Sequence, residues 1–501
     1  MISFQRLCTL EQIMLQKGCV VVIFILLFRN LLLCDAEEFK GENTTVTNST
    51  GNRIKKFLLK MPLKDFRNAT KNKVKKIKLK DGKPATEHSI GSVDGYLLTM
   101  IRLAAELPTK KCPVLLVHGM FQSSDRFLNQ DKSQSLAYTL ENLGYDVWLF
   151  NARGNKYCQT HVAYAPHIQK AEFNNYSYEE IGCFDLAAAV DYILIMTTFK
   201  KIHYIGHSLG GTFFLVLNSL VTEYNDKFDR AFLMAPLGYH TTTTNTNLQK
   251  ELDDPTSLHE ALIKVDTFEI FPYDAYGPIQ DMVPDNCLGG KAWDNICNEL
   301  QIQKIMGIKS SNNTVAETRG GSIKLLIHWA QNIKNKKFRR WDFGESKNVE
   351  EYDGKNPPEY PLNAITVRTK IIYSPTDDMV KDTDIRALAK QMKNATTRKV
   401  KRANFKHDDF IDGEYVMEDV YTGIITDLEY PKPLITRVDG TKKNQTKSAS
   451  NPTSLPDIPW SALLSLVGIL LFILISIISC CCKKKDSNGV CTTDAGQRAN
   501  V

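Results

Sequence analysis

Gly206-His207-Ser208-Leu209-Gly210 sets a serine between two glycines, directly after the apolar run Ile202–Ile205 and before a helix expected from about Thr212. A strand that turns sharply into a helix at a serine lifts the hydroxyl out of the sheet. Glycines on both sides remove the Cβ atoms that would clash in that turn. With 28 glycines in 501 residues, the pattern arises by chance about 0.1 times per chain, so its placement between strand and helix is what counts. The chemistry is nucleophilic attack by Ser208, which requires a base, an acid that orients the base, and two amide donors for the developing oxyanion. In this arrangement the chain order is serine, acid, histidine. Of His240, His259, His328 and His407, only His407 lies beyond the strand Lys370–Tyr373, whose exit loop would present the acid. That loop reads Ser374-Pro375-Thr376-Asp377-Asp378, and the residues leave the two adjacent aspartates open, with Asp382 and Asp384 further from the strand end. One oxyanion donor is the amide of Leu209. The other is expected from His118-Gly119-Met120, through the amide of Met120, which makes His118 structural and not a base.

Strands and helices must alternate to hold these residues in place. Tyr96–Met100 after Asp94-Gly95 reads as part of a hairpin. Pro113–Val117, Asp146–Phe150, Ile202–Ile205, Arg230–Met234 and Lys370–Tyr373 are short apolar runs of the kind buried in parallel sheets. Glu179–Thr198 carries apolar residues at helical spacing, and a final strand is expected around Val400. The pattern predicts an α/β fold, a three-layer sandwich with a mostly parallel central sheet and helices on both faces. Alternation fails between Pro236 and Ala364, so that stretch reads as an inserted, mainly helical cap. The expected organisation is a signal peptide at 1–36 and a polar, basic flank at 37–83. The core follows in two parts, 84–236 and 365–430, around a cap at 237–364. A linker at 431–457, a transmembrane helix at 458–482 and a cytosolic tail at 483–501 complete the chain.

The ends suggest a compartment. Lys17 precedes the apolar run Cys19–Phe28, and Cys34-Asp35-Ala36 supplies small residues suited to signal cleavage, an uncleaved signal anchor being the alternative. Ser461–Ser479 holds no charged residue, Trp460 marks one interface, and Lys483-Lys484-Lys485 follow the other. Lysines after a span hold the C-terminus in the cytosol, so the body is expected in the lumen or outside the cell as a type I membrane protein. Asn43, Asn48, Asn68, Asn175, Asn312, Asn394 and Asn444 each begin a glycosylation sequon, and all precede the span. Of the twelve cysteines, Cys287 and Cys297 are expected to pair inside the cap. Cys112, Cys158 and Cys183 are expected to be reduced, and Cys480, Cys481 and Cys482 sit at the membrane boundary, suited to palmitoylation. From Arg53 to Lys83, thirteen Lys and Arg face only Asp65 and Asp81. That local +11 exceeds the +7 of the whole chain, so the remainder is mildly acidic. The flank reads as a solvated basic segment or one drawn to anionic lipid, and nucleic acid is not an expected partner. No metal-ligand spacing and no phosphate-binding glycine loop occurs, so no cofactor is expected.

These residues together resemble the acid lipase family. His118-Gly119-Met120 is similar to its oxyanion loop. Asp146-Val147-Trp148 with Asn151-Ala152-Arg153-Gly154-Asn155, Tyr178-Glu179-Glu180 with Asp185-Leu186, and His328-Trp329 with Gln331 are similar to further family motifs. So are Phe338 with Asp342-Phe343-Gly344 and His407-Asp408-Asp409-Phe410. The resemblance covers about residues 55–430. It implies an α/β-hydrolase fold and a lipase that cleaves fatty-acyl esters of neutral lipids, triacylglycerol or cholesteryl ester in type, beneath a lid formed by the cap. It also implies Asp378 as the acid, because the family's acid precedes a hydrophobic pair and Met379-Val380 follows Asp378. An acidic pH optimum is implied in the same way. The chain departs from the family at Ser374-Pro375-Thr376, at Met306 and in the C-terminal span. A non-catalytic lipid-binding or adhesion ectodomain and an acyltransferase with the same triad are the alternatives. The sequence leaves oligomeric state open.

Overall fold

The structure, a computed structural model, describes residues 73–104, 110–128, 133–240, 254–264, 266–269 and 320–430. The leader, the basic flank before Lys73, the Cys287–Cys297 pair, the linker, the membrane span and the tail lie outside the described residues.

Among the described residues the ten strands are β1 (Val74–Lys78), β2 (Pro84–Gly91), β3 (Tyr96–Leu103), β4 (Val114–Val117), β5 (Val147–Leu149), β6 (Thr160–His161), β7 (Ile202–His207), β8 (Phe228–Met234), β9 (Arg368–Tyr373) and β10 (Ala395–Lys399). They form one sheet in the order β1-β2-β3-β5-β4-β7-β8-β9-β10, with β6 paired to β3. From β5 to β10 every neighbouring pair is parallel, while β1, β2 and β3 join antiparallel. The mostly parallel sheet expected from the apolar runs is therefore present. Alternate residues along each strand face opposite sides. Leu115 and Val117 of β4 enter one core with Leu209, Phe213 and Phe214, while Val114 and Leu116 enter the other with Phe127, Leu136 and Tyr421.

One boundary is corrected. The flank expected to end at Lys83 contains β1, which pairs with β2 in register Val74 to His88. Its residues are mostly exposed, and Lys75, Lys76 and Lys78 line the strand. Lysine on an edge strand blocks pairing with another chain, so a run that resembles solvated linker is a protected sheet edge.

The longer helices among the described residues are α1 (Leu136–Asn142), α2 (Ala187–Thr197, continuing Tyr178–Glu180 and the π-helical turn Ile181–Leu186), α3 (Leu209–Leu220), α4 (Pro255–Lys264), α5 (Ile323–Asn335), α6 (Glu345–Tyr352), α7 (Asp382–Gln391) and α8 (Thr422–Glu429). Ser177 begins α2 with a capping box: its hydroxyl accepts from the Glu179 amide, and Glu180 accepts from the Ser177 amide. Between β8 and β9 the described residues form helices and no further strand of the sheet, and α5 packs into the same core as α2 and α3. Arg340 forms a buried pair with Glu179, its Nη2 donating to Oε1 at 2.6 Å, and the Tyr360 hydroxyl donates to Glu179 Oε2 at 2.9 Å. Tyr178 stacks on His328 with centroids 3.9 Å apart. Residues 328–360 are thus fastened to the start of α2. Glu179→Ala leaves the Arg340 guanidinium buried without its carboxylate and should destabilise the fold by about 3–5 kcal/mol, read as a lower urea midpoint.

Among the described residues no helix is long and apolar enough to cross a membrane. Cys112 and Cys158 are free thiols.

Candidate active site

Ser208 closes β7 and precedes α3 with φ 55° and ψ −123°, a backbone region that side chains other than glycine rarely adopt. The surroundings hold it there. A Cβ on Gly206 would lie 2.7 Å from the Gly210 carbonyl carbon, and one on Gly210 would lie 2.5 Å from the Val117 oxygen. Ser208 N–H donates to Met234 O at 2.9 Å, and the Tyr204 hydroxyl donates to Gly210 O. The turn is over-determined, as a strained functional position requires.

His407 lies in the loop after β10. Its Nε2 stands 2.9 Å from Ser208 Oγ, and its Nδ1 stands 3.0 Å from Asp377 Oδ2 and 3.2 Å from Oδ1. All three side chains are buried, Ser208 at 5%, His407 at 7% and Asp377 at 5% exposure. Burial is the largest influence on the imidazole and pushes its pKa down. The Asp377 carboxylate opposes this through charge and hydrogen bond, Asp408 and Asp378 add to it, and the net pKa is raised above 6.5. His207 donates from Nε2 to the His407 carbonyl at 3.1 Å and is held neutral by burial, with the charges of His407 and Arg126 adding to the effect.

The loop after β4 passes beside the serine: a Cβ on Gly119 would sit 3.1 Å from Ser208 Cβ. Gly119 N–H donates to Gln122 Oε1 at 3.0 Å, so that amide is engaged within the loop. The amides of Met120 and Leu209 have no protein acceptor among the described residues. Leu209 opens α3, where first-turn N–H groups and the helix dipole favour negative charge. His118 Nε2 accepts the Ala152 amide at 3.2 Å, so Nδ1 carries the proton and donates to Gly119 O at 2.7 Å. Burial pushes its pKa down to about 4. His118 is a structural tie, as its place in the sequence implies.

A hydroxyl hydrogen-bonded to an imidazole, itself held by a buried carboxylate and facing free amides, can attack a carbonyl and stabilise the resulting oxyanion. Among the described residues no cluster of three or more His, Cys, Asp or Glu is placed to hold a metal ion.

Comparison with known proteins decides the family. The family described as "alpha/beta hydrolase fold" matches residues 113–269, and the "partial alpha/beta-hydrolase lipase region" matches residues 74–131. Lipase 1 of Drosophila melanogaster is 31% identical, aligned over 68% of this chain and 75% of the relative. Lipase 3 of the same organism is 30% identical over 70% and 91%. The gastric triacylglycerol lipase of Rattus norvegicus is 29% identical over 69% and 88%.

The chain belongs to the acid lipase family. It is an α/β hydrolase of the lipase, ester-hydrolase class.

Within this acid lipase chain the position of the acid is corrected. Asp378 is exposed, and its Oδ1 accepts the His407 backbone amide at 3.2 Å. The residue at the imidazole is Asp377. The Met379 and Val380 amides donate to Asp377 Oδ1 at 2.7 and 3.0 Å, and that turn aims the carboxylate inward. The hydrophobic pair is therefore tied to Asp377, with Asp378 interposed on the outside of the turn.

Residues without a recognisable signal also shape the site. Ser374 and Thr376 hydroxyls donate to Phe405 O at 2.7 and 3.1 Å, so the departure from family pattern at Ser374-Pro375-Thr376 supports the histidine loop. Arg126 pairs with Asp412 at 2.6 Å and Asp408 at 3.5 Å, joining the oxyanion side of the site to that same loop. Asn155 Nδ2 donates to Gln122 O at 3.3 Å and Asn151 Oδ1 at 3.0 Å. Arg153 is wholly buried between Asp185 and Asp94. The Asn151–Asn155 motif thus backs the oxyanion loop. Most of these partners lie far apart in sequence, while Arg153 with Asp185 and Asn151 with Asn155 fell within the motifs that carried the resemblance.

Proposed function

We propose that the chain is a serine lipase acting on fatty-acyl esters of neutral lipids. Ser208 attacks the ester carbonyl while His407 takes its proton. Asp377 fixes the imidazole in the tautomer that accepts at Nε2 and stabilises the imidazolium that forms. The Met120 and Leu209 amides receive the oxyanion. His407 then protonates the leaving alcohol, and a water activated by the same imidazole releases the fatty acid from Ser208. The observation that carries this reading is the continuous contact from Ser208 Oγ through His407 to Asp377. Triacylglycerol is the substrate class named for the rat relative, and the apolar side chains of Met120, Phe213, Ile181 and Leu325 beside the oxyanion loop suit an alkyl chain.

The proposal includes a type I tether through residues 458–482, with the catalytic body lumenal or extracellular and glycosylated. Asn175 is exposed, whereas the Asn394 side chain donates to Thr366 O at 2.7 Å, so Asn175 is the better glycan acceptor of the two.

The test is hydrolysis of an ester panel, from short p-nitrophenyl esters to trioleoylglycerol and cholesteryl oleate, by the full-length protein in detergent between about pH 4 and 8. His407 works as a base only when neutral, and its pKa is raised, so kcat/KM falls as pH drops through a value above 6.5. Fatty-acid release that follows this limb supports the reading. Binding of ester without release supports a non-catalytic ectodomain, and a flat or acid-favouring profile contradicts the assigned role of His407.

A further inference from the structure

Phe121, the residue after the proposed oxyanion donor Met120, is buried with φ 53°. A phenylalanine in the left-handed region is held there by its neighbours, and here the neighbour is the backbone returning from the insertion. A Cβ on Gly321 would lie within 2.6 Å of Phe121 Cε1, with the ring Cδ1 closer still. Gly320, at φ +83°, leaves no room for a side chain against the Gly154 carbonyl. The next residue is anchored: Ser322 N–H donates to the Tyr176 hydroxyl at 3.1 Å, and its own hydroxyl donates to Asn174 O. Gly154 belongs to the Asn151–Asn155 motif that holds the loop from behind through Asn155 and Gln122. The Phe121 ring is thus pressed from the insertion side by a backbone without side chains, while the same loop is tied from the core side.

We infer that Gly321 is a positioning residue for the oxyanion hole: the returning backbone clamps the Phe121 ring, and the clamp sets the direction of the Met120 N–H. The inference rests on the proposed serine-hydrolase reading. It makes the insertion part of the transition-state machinery, in addition to any covering role.

The test uses the full-length protein and p-nitrophenyl butyrate. Loss of one oxyanion donor costs roughly 10²–10³ in kcat; Gly321→Ala tilts the donor without deleting it, so a fall of about 10–100-fold is expected. KM should stay within about threefold, because the contact matters in the transition state more than in the bound ester. The acid limb of kcat/KM should not move, since His407 and Asp377 are untouched. Phe121→Leu in the same chain should make room for the added methyl, so that Gly321→Ala/Phe121→Leu is at least as active as Phe121→Leu alone. Should Gly321→Ala fail to accumulate, Phe121→Leu alone still tests the clamp, with lower kcat at unchanged KM expected. Unchanged kcat, a loss carried by KM, or effects of the two substitutions that simply multiply would each overturn the inference. If Ser208→Ala were as active as the unaltered chain, the underlying reading would fail instead.

Discussion

Ser208→Ala should lower kcat for ester hydrolysis by roughly five to six orders of magnitude, a loss of about 7 kcal/mol or more of transition-state stabilisation. The size follows from covalent catalysis: without the hydroxyl there is no acyl-enzyme, and His407 has no attacking group to deprotonate. Residual acceleration should remain, because the amides of Met120 and Leu209 still face the carbonyl and the substrate still binds. KM should therefore change little while kcat collapses. The fold should tolerate the change, since the Ser208 side chain contributes its 2.9 Å contact with His407 and no packing volume. Steady-state kinetics with thermal melting of the same preparation separates loss of chemistry from loss of structure. Hydrolysis persisting above a thousandth of the original rate would place the nucleophile elsewhere.

The second large effect distinguishes two adjacent residues. Asp377→Asn should reduce kcat by about 10⁴, while Asp378→Asn should cost less than about tenfold. Asparagine at 377 keeps the size of the side chain and an oxygen for the Met379 and Val380 amides. It brings no charge to His407 Nδ1 and can fix the wrong tautomer. Removing that charge also removes the main influence that raises the His407 pKa, so the acid limb of any residual activity should move to lower pH. Asp378 accepts from the His407 backbone amide at 3.2 Å, a contact an asparagine oxygen reproduces. Equal losses at the two positions would contradict the assignment of Asp377.

The contrast between these aspartates marks where sequence reasoning stops. Ser208 was legible because its signal is local: two glycines, a buried strand before it and a helix after it. His407 was legible by chain order, since no other histidine follows the strand Lys370–Tyr373. The choice between Asp377 and Asp378 turns on which way a carboxylate points, and that is set by which side chain the Met379 and Val380 amides bind. A hydrophobic pair read without that turn geometry is ambiguous by one residue. The parallel sheet was visible because strands buried on both faces are uniformly apolar, whereas β1 was read as linker because an exposed edge strand carries lysine for its own protection. Past Pro236 the sequence reads as irregular. The contacts that order α5 and the residues after it, Glu179 with Arg340 and Tyr178 with His328, join positions about 150 residues apart and leave no periodic trace. The proposed clamp of Gly321 on Phe121 belongs to the same kind: two unremarkable residues acquire a role only when the fold brings them together.

The central claim is a covalent acyl intermediate on Ser208, and the most direct measurement traps it. The full-length protein is reacted with a fluorophosphonate, digested, and the modified peptide identified by mass spectrometry. The account predicts one stoichiometric adduct on Ser208, formed faster as pH rises through the His407 limb and absent in Ser208→Ala. No adduct, or an adduct on another residue that persists in Ser208→Ala, would contradict it.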